Sequence, residues 1–504
     1  MSIDTRIHRA KKNIVVSLCC QIVTMVCGII VPKLMLDSFG SEVYGATASI
    51  AQFLSYVVLL EGGIGGVARA VLYKPLADGD DETISAIMAE IRRFFKIVAY
   101  IFLAYVLILA CSFKAISRVE ILDWTSTFLL VIAISISTFG QYFIGVSNAI
   151  LLQAAQKSYV TNLVNIAGTV VNAAMVVLLI SKGCNIIVVK LVSSLVFAIK
   201  PVALMLYVRH NYRLHGVPKS GKTYLTQKWS GLGQHIAYFL HTNTDIVILT
   251  LFSNLKAVAV YSVYYMIVGN IQNFTASFTA GMEALFGDML AKKEHARLDA
   301  TFGMYDTLIS FVAVTLFSVT MVMILPFVRI YTASISDANY DVPLFALLMV
   351  LSSLLYCLRM PYHSAVIAAG HFRETQLAAY GEAAINVILS MLLVSKFGLV
   401  GVAIGTVLAT AFRLIYYVLY LSRRILNRST SLFWKRTSIN AAAFLAVCFA
   451  GMKVTEFFSI ANYKTWVLCS VLTAVIALAI CAAANLLFYR QDCARLLKMR
   501  KNTF

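Results

Sequence analysis

The chain has 504 residues, 60% hydrophobic and 13% charged, with a formal net charge of +19. A soluble domain carries about 25% charged residues, so half of the usual charge is missing and a string of soluble domains is excluded. The missing charge is what a hydrocarbon solvent rejects, because an ionised side chain at mid-bilayer is costly. In a soluble protein the basic excess would suggest nucleic acid. Here Lys and Arg sit in short loops between apolar runs, where they set orientation, and no nucleic-acid partner is expected. The ten cysteines mostly lie inside apolar runs without C-x-x-C spacing, so they read as buried thiols.

Residues 1–13 are polar and basic, and the apolar run after them is too long for a signal-peptide core and lacks a small-residue cleavage site; the first span is expected to stay. A span needs about 20 apolar residues. Fourteen runs qualify in chain order: 14–36, 46–72, 94–113, 123–148, 158–181, 185–208, 233–252, 257–284, 303–327, 342–368, 374–395, 399–422, 434–453 and 464–489. Ten-residue alternation is absent, so the spans are helices rather than barrel strands. With the N-terminus cytoplasmic, 28 of the 42 Lys and Arg fall on the cytoplasmic side, 9 on the other and five inside spans. That bias predicts a multi-pass protein of the cytoplasmic membrane with both termini cytoplasmic.

A shift of 214 residues lays 154–172 over 368–386, matching Asn172 with Asn386, Ser181 with Ser395, Lys182 with Lys396 and Tyr142 with Tyr356. An even number of spans per copy makes the repeats parallel, with a substrate cavity expected where they meet. The predicted organisation is a six-helix lobe over 1–208, a basic cytoplasmic linker over 209–232, a second six-helix lobe over 233–425, and two further helices with a basic tail over 426–504.

Ionisable groups inside spans are functional candidates. The cations are Arg69, Lys190, Lys200, Arg359 and Arg413; the acids are Glu61, Asp245, Glu283 and Glu382. Guanidinium groups keep their charge when desolvated and offer bidentate donors to phosphate, so Arg69, Lys200, Arg359 and Arg413 are the expected substrate contacts. The competing reading pairs these cations with the in-span acids. Glu61, Asp245 and Glu382 are the candidates for coupling to a proton or sodium gradient; the membrane potential is a further energy source, and no cofactor is expected. Four glycines in EGGIGG (61–66) allow close helix approach or bending. GVPKSGKT (216–223) satisfies the phosphate-loop pattern, but a transmembrane run precedes it and no strand or Mg²⁺ partner accompanies it, so it reads as a basic loop.

The series DSFGSEVYGATASI, LLEGGIGGVARAVL, HTNTDIVIL, VAVYSVYY and RMPYHSAVIAAGHFRETQ, through EAAINVILSMLLVSKFGLVGVAIGTVLATAFR, resembles the Wzx-type polysaccharide flippases of the multidrug/oligosaccharidyl-lipid/polysaccharide (MOP) exporter superfamily. The likeness runs over essentially the whole chain. It implies an all-α integral membrane fold of about 14 helices, two six-helix repeats around a central cavity plus two C-terminal helices. It also implies a lipid-linked oligosaccharide substrate, flipped from inner to outer leaflet of the bacterial membrane, with polysaccharide polymerase or assembly proteins as partners. Arg69 and Arg413 match arginines usual in the family, and Arg359 precedes a proline as is common there; Glu61 stands where Asp is usual. An ion-coupled multidrug exporter of the same superfamily is the alternative, and it predicts an acidic, aromatic-lined cavity. An enzyme is not expected, because the longest outer loop, around 328–341, leaves little room for a catalytic domain.

Overall fold

The computed structural model describes residues 3–62, 64–214, 232–279 and 281–495. Most of the predicted linker 209–232, including GVPKSGKT, lies outside the described residues. The elements are α1 (Ile3–Ser55), a 3₁₀ turn (Tyr56–Glu61), α2 (Ile64–Asp78), α3 (Asp81–Ser117), α4 (Trp124–Gly140), a π-helical turn (Gln141–Gly145), α5 (Val146–Ala154), α6 (Ser158–Ser181) and α7 (Ile186–Asn211). They continue with α8 (Leu232–Phe252), α9 (Leu255–Ala276), a 3₁₀ turn (Ser277–Thr279), α10 (Met282–Ala291), α11 (His295–Tyr331), α12 (Pro343–Ala368), α13 (Phe372–Arg424), α14 (Ser431–Phe457) and α15 (Tyr463–Phe488). No strand occurs among the described residues.

Ten helices among the described residues are long and apolar enough to cross a membrane, fewer than the fourteen predicted spans. Much of the difference comes from two glycines. The sequence reading placed a polar loop over 37–45, yet α1 runs through it, broken only at Gly40 (φ 77°, ψ 173°). A Lys33–Asp37 pair at 2.7 Å, one turn apart, supports helix up to that point. Asn13 bonds to Gln156 and Tyr159 beyond the end of α5, whereas Glu42 accepts from the N–H groups of Glu120 and Ile121 just before α4. The second arm then returns to bring Glu61 against Tyr142. The two arms of α1 therefore run in opposite directions.

The same reasoning applies to α13, which breaks at Gly398 (φ 52°, ψ −128°). Asn386 and Thr406 would stand about 30 Å apart on a straight helix at 1.5 Å per residue, yet Thr406 Oγ1 lies 3.2 Å from Asn386 Oδ1. Only a hairpin at Gly398 permits this. Spans predicted as single, 46–72 and 257–284, are instead interrupted: each passes through a 3₁₀ turn and a left-handed glycine, Gly62 (φ 56°) or Gly281 (φ 84°).

The chain divides into two compact units. Unit 1 comprises 1–239 and 254–259; unit 2 comprises 240–253 and 260–504. In unit 1, α1 packs on α6 and α4, α4 on α3 and α7, and α2 on α3 and α5. In unit 2, α12 packs on α11 and α13, and α14 and α15 both pack on α11. Apolar side chains also line the outside: Val467, Val471 and Val475 fall at four-residue intervals on one exposed face of α15. Such a face is a liability in water and the normal boundary in lipid.

The hinge conformation at Gly398 is nearly closed to residues with a Cβ, at a cost of about 1–3 kcal/mol. Gly398→Ala is therefore expected to lower the thermal unfolding midpoint of the purified protein. Gly28→Ala, where an added methyl meets nothing within 4 Å, is expected to leave it unchanged.

Candidate functional site

The in-span charges predicted for unit 2 lie largely in two buried polar clusters. The first is built on Asp245 of α8, 4% exposed. Its Oδ1 accepts from Asn386 Nδ2 at 3.2 Å, and its Oδ2 accepts from Tyr261 OH at 3.0 Å and Thr406 Oγ1 at 2.9 Å. Ser390 Oγ and Thr406 Oγ1 also approach Asn386 Oδ1, and both approach the carbonyl of Val402. The hairpin at Gly398 assembles this set, since Asn386 and Ser390 come from one arm and Val402 and Thr406 from the other. Gly405 lets the arms close, because a Cβ there would stand 2.4 Å from Ser390 Oγ. Beside Asp245 is a small cavity of about 50 Å³, with Tyr261, Tyr265, Tyr356 and Gln272 in its wall. A buried carboxylate that accepts from one amide N–H and two hydroxyls, with further hydroxyl and amide oxygens next to those donors, has the chemistry of a site for a proton or a hard cation.

The second cluster is a triad. Arg359 of α12 and Arg413 on the second arm of α13 both donate to Glu382 on its first arm; Arg413 does so at 3.2 Å, and all three side chains are 8% exposed or less. Arg359 stacks on Tyr356 and Arg413 on Tyr417, each about 4.7 Å from the ring centroid. Arg413 Nη2 also donates to Tyr417 OH at 2.7 Å, while its Nε has no partner. Two guanidiniums share one carboxylate, so the triad carries one net positive charge. The internal pairing considered from sequence is thus present for Arg359 and Arg413, and Glu382 is the anion that holds them.

Unit 1 differs. Glu61, at the end of the 3₁₀ turn, accepts from Tyr142 OH and does not pair with Arg69. Arg69 of α2 donates to the amide oxygen of Gln153 on α5 at 2.8 Å. Lys200 of α7 lies over the ring of Phe197 at 4.2 Å, its stem against Gly168 of α6 so closely that a Cβ there would meet it at 2.3 Å. Lys190, ten residues earlier on α7, lines a larger cavity of about 330 Å³. Among the described residues none of these three cations has a carboxylate within ion-pair distance.

One charged group inside a predicted span escaped the sequence reading. Asp306 of α11, within 303–327, accepts from Arg436 of α14 at 2.5 Å, and Arg436 also reaches Asp492, beyond α15, at 3.1 Å. Arg436 stands at the edge of its apolar run, 434–453, where a cation reads from sequence as a loop charge. Tyr261 and Thr406 were also missed as partners of Asp245. Their signal lies in register across a hairpin, which linear spacing does not contain.

No known protein family model matches the chain, and no curated protein matches it in sequence. In structure it is similar to the lipid II flippase MurJ in an inward closed conformation, with a TM-score of 0.67 at 13% identity, over 95% of this chain and 99% of that one. It is similar also to a multidrug resistance MATE family transporter of the MOP superfamily, inward-facing, with a TM-score of 0.58 at 13% identity, over 82% of this chain and 98% of the other. The MATE multidrug transporter DinF-BH in complex with R6G gives 0.57 at 15% identity, over 82% and 95%. The likeness at these identities is one of fold. The chain is a multi-pass membrane protein with the fold seen in transporters of the MOP superfamily.

Proposed function

We propose that the protein flips undecaprenyl-diphosphate-linked oligosaccharide repeat units from the inner to the outer leaflet of the bacterial cytoplasmic membrane by alternating access, for surface polysaccharide biosynthesis. Fourteen crossings with cytoplasmic termini belong to this reading. So does a duplication of the two units, which gains support from wall residues of the two cavities that correspond at the shift of 214: Thr138 with Ser352 and Tyr142 with Tyr356.

The observation that carries the proposal is unneutralised positive charge within the helical units. Arg69, Lys190 and Lys200 lack carboxylate partners among the described residues, and Arg359 and Arg413 have one between them. Desolvated cations need an anion, and phosphate oxygens matched by guanidinium donors supply one. In this reading Arg69, Lys200, Arg359 and Arg413 attract the diphosphate, Glu382 positions the two guanidiniums, and Asp245 takes the coupling cation or proton, with Glu61 as the second candidate. The likeness in fold to the lipid II flippase MurJ is consistent with a lipid-linked substrate.

The alternative, an ion-coupled multidrug exporter, draws on Asp245 and its three tyrosines, an acidic and aromatic setting. The small size of the cavity at that site weighs against it. A cavity of about 50 Å³ holds one or two waters, each with a share of about 30 Å³, and suits an ion better than a drug.

In a strain deprived of its own oligosaccharide flippase, Arg69→Ala at equal expression is expected to reduce surface polysaccharide at least about tenfold, with Arg69→Lys partly active. Full activity of Arg69→Ala together with Lys200→Met, or purified protein that binds tetraphenylphosphonium but no prenyl diphosphate, would reject the reading. Asp245→Asn is expected to remove any sodium- or proton-dependent gain in thermal stability. Glu382→Gln leaves two buried guanidiniums without an anion and is expected to cost about 3–5 kcal/mol, seen as a lowered unfolding midpoint.

A further inference from the structure

The cavity of unit 1 has one polar side and one apolar side. From α7 come Lys190, Ser193 and Ser194, at the i, i+3, i+4 spacing that puts them on one helix face. From α4 come Ser137 and Thr138, and the π-helical turn adds Tyr142. The second arm of α1 and its 3₁₀ turn close the opposite side with mainly apolar groups. Several of the hydroxyls are already engaged: Ser194 with the Ile134 carbonyl at 3.3 Å, Ser137 with the same carbonyl at 3.4 Å, and Tyr142 with Glu61. Lys190 Nζ, Ser193 Oγ and Thr138 Oγ1 make no side-chain hydrogen bond among the described residues, and none of them is sealed from the cavity.

We infer that this cavity is an anion site that takes a phosphate group, with Lys190 supplying the charge and Ser193 and Thr138 the hydroxyl donors. An ammonium has three donors and no acceptor capacity. Here it faces hydroxyls and apolar groups, and no carboxylate pairs with it. An oxyanion completes such a set, offering charge to the lysine and several acceptors to the hydroxyls. The volume of about 330 Å³ lies at the lower end of ligand sites, roughly 300–1,000 Å³, and exceeds what a single ion needs. The walls come from unit 1 alone, so the site does not require the transport reading. Its phosphate comes either from a lipid diphosphate headgroup or from free phosphate.

The test uses full-length protein in phosphatidylcholine nanodiscs, with ³¹P line broadening and calorimetric titration as readouts. Inorganic diphosphate is the free probe and farnesyl diphosphate the lipid probe, both against sodium chloride at matched ionic strength. Wild-type protein is expected to bind at least one probe. Lys190→Met should weaken that binding at least tenfold, Ser193→Ala about threefold, and Lys190→Arg little; Lys182→Met, on an exposed turn, should not change it. Binding of both probes, equally lysine-dependent, identifies free phosphate as sufficient; binding of farnesyl diphosphate alone identifies the lipid headgroup. Unchanged affinity in Lys190→Met, or no binding of either probe, overturns the inference even if Arg69 variants abolish flipping. Should Lys190→Met not fold, Ser193→Ala and Thr138→Val decide: full affinity in both would overturn it.

Discussion

Positive charge inside an apolar bundle is the constraint on which the rest of this structure turns. An ionised group removed from water is tolerated only when an opposite charge or a dense set of hydrogen bonds stands beside it. Unit 2 meets that demand from within: Arg359 and Arg413 close on Glu382, with Tyr356 and Tyr417 against the guanidinium faces. Unit 1 meets it only in part. Arg69 has an amide, Lys200 an aromatic ring, and Lys190 a cavity. The two units thus carry comparable numbers of in-span cations but differ in how far each is neutralised by its own residues.

The helical class and nearly every apolar run were legible in the sequence, because hydropathy depends on composition over about 20 residues and little else. The charged residues inside those runs were legible for the same reason. Their partners were not. Glu61 stands eight residues from Arg69, yet it bonds to Tyr142, 81 positions away, because the left-handed Gly62 breaks the helix between them. Asp245 meets Asn386 and Thr406 only because α13 folds back on itself at Gly398. Asp306 went unremarked since it lies one turn inside its run, and its partner Arg436 sits at the edge of another.

Glycine governs the fold in two different ways. At Gly40 and Gly398 a backbone conformation closed to most residues reverses a helix within one residue, so that two arms pack with almost no loop. At Gly168 and Gly405 the missing side chain matters instead: the stem of Lys200 lies over the first, and the second arm of α13 closes against Ser390 at the other. The glycine-rich stretch after Glu61 was open to either reading from sequence, and the chain breaks there.

The clasp of Arg436 between Asp306 and Asp492 reaches beyond its own neighbourhood. It ties α11 to α14 and to the helical segment that follows α15, and Asp306 is almost fully buried. Residues beyond 425 are therefore no detachable extension of unit 2. Trimming the chain back to its first twelve predicted spans would strip the cation from a buried carboxylate and bare the flank of α11, so the ancillary pair is a structural wall of the half to which it is joined.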